Sequence, residues 1–144
     1  GLVGSEMCIR DRISGPLLDR IDLHVSVMRP KYSELTATIK GESSARIAER
    51  VAAARAMQSE RLSKWHMQNN AQMGHRQLQE TCRLDAEGSE LLHEVFEKLH
   101  LSARSYDRII KVSRTIADLA GTSEIKPEHV AEALSYRNML PRRS

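Results

Sequence analysis

The chain has 144 residues, enough for one domain or for one domain and part of a second. A net charge of +3 is mildly basic, which suits a phosphate-bearing partner without requiring one. Aromatic residues make up only 3%, with Trp65 and Phe96 alone of their kinds, so base stacking on an aromatic platform is a poor candidate for its main device.

Residues 1–12, GLVGSEMCIRDR, resemble a peptide that arises when sequencing-adapter DNA is translated at the end of a short contig. They are expected to be a non-native tail. Glu6, Arg10, Asp11 and Arg12 cancel, so the net charge of +3 does not depend on them. The segment lacks the apolar stretch and small-residue cleavage site of a secretory signal. Gly15-Pro16 then forms a corner, Leu17 to Arg20 a short helical turn, and Ile21, Leu23, Val25 and Val27 alternate with polar residues. That period of two predicts a half-buried strand, ended by Arg29-Pro30. It places Arg20 at the rim of a sheet.

A polar connection, 31–42, closes on Gly41, and Ser44 is the expected cap of a long helix from Ala45 to Trp65. Ile47, Val51, Ala54 and Leu62 recur along it at helical spacing. Asn69-Asn70 and Gly74 break the pattern before a short helix, His75 to Cys82. A further helix, Asp85 to His100, carries Leu91, Leu92, Val95, Phe96 and Leu99 on one stripe. Ser102 caps the next, whose buried side should comprise Tyr106, Ile109, Ile110, Ser113, Ile116, Ala117 and Ala120. Gly121 stops it as a left-handed cap. Pro127 opens a last helix with Val130, Ala131 and Leu134, and the tail, 138–144, is expected to be disordered. The fold class is therefore mostly α, one β-strand followed by a four- to five-helix bundle. A lone strand needs partners, which points to a sheet upstream.

Cys8 and Cys82 have no paired spacing, so no disulfide framework or zinc site follows, and a reducing cytoplasm is the expected compartment. No apolar run approaches the roughly 18 residues that a bilayer span requires, so no membrane partner is expected. No GxxxxGK[ST] phosphate loop is present; Gly41-Glu42-Ser43-Ser44 lacks the lysine and reads as a helix start. Nothing here could hold a nucleotide and its magnesium unaided. His93, Glu97 and His100 lie at metal-binding spacing on one helix, but without a further ligand, and with so many surface charges on that helix, a solvated face is the plainer account, and no metal site is expected. His75 and Cys82 could be drawn as base and nucleophile; a shared amphipathic turn is the plainer account. Arg104 sits in the first turn after the Ser102 cap, where free N–H groups and the helix dipole favour an anion. It can equally be a surface arginine, with Arg108 and Lys111 extending a basic ridge. The same two readings stand for Arg20.

GPLLDRIDLHV, GESSARIAERVAAARAMQ, NAQM, LSARSYDRIIKVSRTIADLAG and IKPEHVAEALSYR follow one another in this order. Together, over Ile13 to Arg137, they resemble the C-terminal end of the magnesium-chelatase-like AAA+ ATPases, the group with the ComM-like competence proteins. The resemblance implies that residues 13–30 are the end of an α/β nucleotide-binding core, and 31–137 an α-helical lid. It implies that Arg20 is an arginine finger acting on the neighbouring subunit and that Arg104 is the nucleotide-binding sensor 2. It further implies ATP and Mg2+ as cofactors of the parent protein, none bound by this piece alone, a homo-oligomeric, hexameric ring, and DNA as partner in branch migration during recombination or transformation. The family's Walker motifs and sensor 1 are absent from this sequence. The alternative expectation is a non-catalytic basic helical module that binds nucleic acid or serves as an adaptor.

Overall fold

The computed structural model describes residues 14–137, so the expectations for 1–12 and 138–144 lie outside the described residues. Seven α-helices run in chain order among them: α1 Gly15–Arg20, α2 Tyr32–Leu35, α3 Ser44–Leu62, α4 His75–Thr81, α5 Ala86–Leu99, α6 Ala103–Leu119 and α7 Pro127–Ser135. Short 3-10 turns at Ser63–Trp65 and Asn70–Gln72 join α3 to α4.

The axis of the bundle is α6. Its inward residues Ser105, Ile109, Ile110, Ser113, Arg114, Ala117 and Asp118 are buried, recurring every three to four positions. α3 and α7 pack along it, α4 lies against it, and α5 packs on α7. Leu62, Met73, Leu78, Leu92, Ile125 and Val130 fill the space between these elements. Phe96 and Tyr106 meet edge to face, with ring centroids 5.9 Å apart. A single parallel bridge, Leu84 to Ile125, ties the α4–α5 connection to the α6–α7 loop.

The helix ends follow from local chemistry. Asp85 accepts from the Gly88 N–H at 2.7 Å, capping the first turn of α5, and a Cβ on Gly88 would come within 2.9 Å of that carboxylate and displace it slightly. Gly121 has φ 71°, and the Thr122 N–H reaches back to the Ala117 carbonyl at 3.0 Å, closing α6 as expected. The cap of α3 is Ser43, whose Oγ accepts from the Arg46 N–H, rather than Ser44, which begins the helix.

Three further expectations are corrected. No strand forms over Ile21–Val27 among the described residues: the backbone is irregular, and Leu23, Val25 and Val27 are 52%, 68% and 84% exposed. An alternating pattern becomes a strand only when a neighbour supplies ladder hydrogen bonds, and the described chain offers none. The apolar stripe of α3 is also only partly used. Ala54, Gln58 and Leu62 are buried, whereas Ile47 and Val51 on the same stripe stay about half exposed over an open groove beside Val112, Ile116 and Leu119. Ala120, expected inside, is exposed beyond the last turn of α6.

One buried polar network fastens the bundle. The Asp118 carboxylate, on α6, receives both terminal nitrogens of Arg61 from α3, at 2.9 and 2.8 Å. It also accepts from Arg114 Nε at 3.1 Å and from the Asn70 amide at 2.9 Å. Arg114 in turn donates to the carbonyls of Ser123 and Thr122, each at 2.7 Å. Asn70 is fixed through its backbone N–H to Gln58 and through its amide to Thr115. Burial lowers the Arg114 guanidinium below its ordinary range, and the adjacent Asp118 charge opposes that shift. Removing the carboxylate strands a buried cation, a change that typically costs about 3–5 kcal/mol. We expect Asp118→Ala to lower the unfolding free energy from urea titration by that order, and its midpoint with it, or to prevent folding, while Glu94→Gln, on an exposed ion pair, leaves the midpoint in place. A wild-type midpoint in Asp118→Ala would show that the network is dispensable.

Candidate functional site at the junction of α1 and α6

Both candidate arginines belong to helix ends. In α1 the Ser14 Oγ accepts from the Leu17 N–H, Pro16 sets the first turn, and the helix ends where Ile21 turns extended, leaving Arg20 exposed as its last residue. In α6 the Ser102 Oγ accepts from the Ser105 N–H at 3.1 Å, as expected of a cap, and Arg104 is exposed in the first turn. Among the described residues neither Arg20 nor Arg104 takes part in an ion pair.

The structure brings these two ends together. Ser105 Oγ donates to Asp19 Oδ1 at 2.6 Å, joining the residue before Arg20 to the residue after Arg104. Arg137, just past α7, donates to the same Asp19 oxygen at 3.2 Å and to Ser105 Oγ at 3.3 Å. From the next turn of α6, Arg108 donates to the Arg20 carbonyl at 2.6 Å and to the Asp22 carboxylate. The His24 N–H donates to the Tyr136 carbonyl, and the His24 ring lies 3.1 Å from the Leu18 carbonyl. Arg137 is buried, and its Nε and NH1 have no hydrogen-bond partner among the described residues. Burial lowers its guanidinium from the usual range and the Asp19 charge raises it again.

This arrangement can deliver positive charge to an anion. Two exposed guanidiniums flank the start of a 17-residue helix, whose free N–H groups and dipole favour negative charge. A guanidinium fork matches phosphate geometry. Arg108 and Lys111 do not form the free basic ridge that their spacing suggests: Arg108 is spent on Arg20 and Asp22, and Lys111 Nζ donates to the Ala71 carbonyl at 3.3 Å.

The other sequence candidates lie elsewhere. His75 Nδ1 faces Asp107 at 2.9 Å and its Nε2 lies 2.9 Å from the Gln79 amide, so both ring nitrogens are engaged. Cys82 lines the same cavity but is buried, with Thr81 Oγ1 3.5 Å from its sulfur. His93 and Glu97 are exposed on α5, while His100 takes a left-handed conformation, φ 49°, and terminates that helix. Among the described residues no group of three or more His, Cys, Asp or Glu is placed to hold a metal ion. Gly41-Glu42-Ser43-Ser44 forms the start of α3, not a phosphate cradle. No described helix is long and apolar enough to cross a membrane.

Residues 41–137 match the family described as magnesium chelatase, subunit ChlI C-terminal. The chain belongs to that family. It is 42% identical over 131 residues to the competence protein ComM of Haemophilus influenzae, covering 90% of this chain and 25% of that protein. It is 39% identical over 128 residues to the YifB protein of Escherichia coli K12, covering 88% of this chain and 24% of that one. To the protein Rv2897c of Mycobacterium tuberculosis H37Rv it is 34% identical over 132 residues, covering 92% and 26%. The chain thus spans about a quarter of the length of the curated relatives it matches. It is a ComM- and YifB-like member of the magnesium chelatase family.

Sequence reasoning missed Asp19, Ser105 and Arg137 at this junction. Asp19 carries a signal in hindsight, a carboxylate beside a proposed phosphate ligand; nothing marks Arg137, whose role depends on contacts 32 and 118 residues away in sequence. Cys82 provides the check on the rejected nucleophile. Burial pushes its thiol up, so the folded protein holds it neutral. In a Cys8→Ser background we expect Cys82 to react with a thiol reagent at about pH 8 at least tenfold more slowly folded than unfolded, since the thiolate is the nucleophile. The stability this burial confers is complete below the unfolded thiol's pKa of about 8.5 and declines as pH rises beyond it. Rapid native labelling would reinstate an accessible thiolate.

Proposed function

We propose that this chain is the lid and arginine-finger segment of a ring-forming AAA+ ATPase that couples ATP hydrolysis to DNA remodelling. Arg20 completes the nucleotide site of the adjacent subunit, and Arg104 contacts the γ-phosphate in its own. The observation that carries the reading is the junction itself. Among the described residues two guanidiniums are left without an ion-pair partner at the ends of two helices that meet, while Arg108 beside them is engaged by the Arg20 carbonyl and Asp22. The membership in the magnesium chelatase family and the likeness to a competence protein support it.

The residues present suit part of a nucleotide site. Bound ATP with Mg2+ supplies the phosphoryl group and neutralises part of its charge. Arg104 would lie toward the phosphates of the nucleotide in its own subunit, where the α6 N-terminus adds a favourable dipole, and Arg20 toward those of the nucleotide in the adjacent subunit. The phosphate loop and the magnesium ligands belong to the remainder of the parent protein, which is about four times longer in the relatives. Phosphoryl transfer spreads charge over equatorial oxygens, and a positioned guanidinium stabilises that charge. The same reading makes the parent a cytoplasmic homo-oligomer, hexameric, with DNA branch migration in recombination or transformation as the work performed.

In the full-length parent, Arg20→Ala should lower kcat for ATP hydrolysis by about 10³–10⁵, the worth of a finger, while sparing nucleotide binding. Near wild-type turnover in that variant would sink the assignment. Arg104→Ala should narrow the preference for ATP over ADP in binding, and an unchanged preference counts against the γ-phosphate contact. Tight, steeply salt-dependent DNA binding by the 144-residue chain alone would favour a non-catalytic nucleic-acid module instead.

A further inference from the structure

Among the described residues α1 is attached to the bundle chiefly by polar contacts. α1 has no buried residue, and Leu17 and Ile21 remain 50% and 39% exposed. No apolar core holds it. It is seated by the Asp19 carboxylate on Ser105 and Arg137, by Arg108 on the Arg20 carbonyl and Asp22, and by the His24–Tyr136 backbone bond. Of these, the Arg137 contact is the most enclosed: its side chain is 5% exposed, and Asp19 is the one carboxylate it meets among the described residues. With Nε and Nη1 unpartnered among the described residues, the guanidinium has Asp19 as its charge compensation there.

We propose that Arg137 is a positioning residue: through Asp19 and Ser105 it clamps the end of α1 to the first turn of α6, so that Arg20 and Arg104 are carried as one unit. The inference rests on the finger and sensor roles proposed above. Asp19 immediately precedes Arg20, and Ser105 immediately follows Arg104. One guanidinium nitrogen within 3.3 Å of both therefore fixes the two helix ends against each other. A lid that shifts when its own site changes occupancy then moves the arginine offered to the neighbouring site. Because the connection is ionic and its acceptor is partly exposed, it can release without disturbing the Asp118 network at the other end of α6.

The test uses the full-length parent and two measurements. In Arg137→Met, which keeps a side chain of similar length and removes the fork, hydrogen exchange at the α1 amides of Leu18 and Ile21 should quicken about tenfold or more, as expected of a locally released segment. Exchange in α3, α6 and α7 should stay as it was. kcat should fall by about 10–100-fold with KM for ATP changed less than about twofold, since a misplaced charge-stabilising group costs rate more than ground-state binding. Arg137→Met added to Arg20→Ala should lower the rate no further than Arg20→Ala alone, because the one residue acts through the other. Unchanged α1 exchange, or losses that multiply in the double variant, overturns the clamp. If Arg137→Met loosens the whole bundle, Asp19→Asn, at a partly exposed position, carries the same measurements with the same expectations. The two proposals fail separately: full turnover in Arg20→Ala removes the finger, whereas loss of turnover in Arg20→Ala with none in Arg137→Met removes only the clamp.

Discussion

The bundle depends on one buried carboxylate. Asp118 lies in the last turn of α6, fully enclosed, and its two oxygens receive Arg61 from α3, Arg114 from its own helix and Asn70 from the turn between α3 and α4. A charge so placed is stable only while every partner holds its geometry, because an incompletely satisfied network costs more than an apolar filling would. The network therefore sets the depth at which α3 docks, the path of the 3-10 turn through Asn70, and, through Arg114, the course of the α6–α7 loop. Apolar burial around Leu62, Ile109, Ile125 and Val130 supplies driving force. The ionic centre restricts that force to one arrangement.

The two ends of α6 are consequently unlike. At its C-terminal end the arginines are consumed by structure. At its N-terminal end, one arginine is left to solvent, a second is spent on the α1 backbone, and a third, from beyond α7, holds Asp19. A rigid rod anchored at one end and carrying charge at the other is suited to transmitting a displacement. α1 rides on that charged end without burying a single residue, so its position is governed by partly exposed polar contacts, while the bundle's is governed by packing around an enclosed ionic centre. Ionic strength bears on the first far more than on the second, since partly exposed charges are screened and enclosed ones are not.

Much of the helical fold was legible because its signals are local. Ser102, Gly121 and Pro127 mark their helix ends through backbone chemistry that needs only neighbouring residues, and each performs as its position suggests. The buried stripe of α6 was legible for its apolar members and illegible for Arg114 and Asp118, whose charges read as surface. Their i, i+4 spacing says nothing of burial, and nothing local says that the further partner is Arg61, 57 residues before Asp118. The strand over Ile21–Val27 misled for the complementary reason. Its alternation records what the segment could pair with, and pairing is a property of the neighbour.

The same distinction governs the candidate site. Arg20 and Arg104 were singled out by a helix end and by family likeness, and the structure adds that their helices meet. What placed them together was invisible in the sequence, because Asp19, Ser105 and Arg137 are each ordinary in their own surroundings and act only as a triad assembled across 118 residues. Their connection also clarifies why α1 and the segment after it leave Leu23, Val25 and Val27 in the open. Had those side chains been buried in the bundle, α1 would be bound to it by apolar area and unable to move apart from it. Held by ion pairs and hydrogen bonds, the segment keeps its apolar face available for a sheet, and under the proposed reading that sheet belongs to the nucleotide-binding core. Under that reading Arg20 would stand between two bodies, continued into one through the segment that follows it and tethered to the other through Asp19, which is where a residue must stand to report the movement of one against the other.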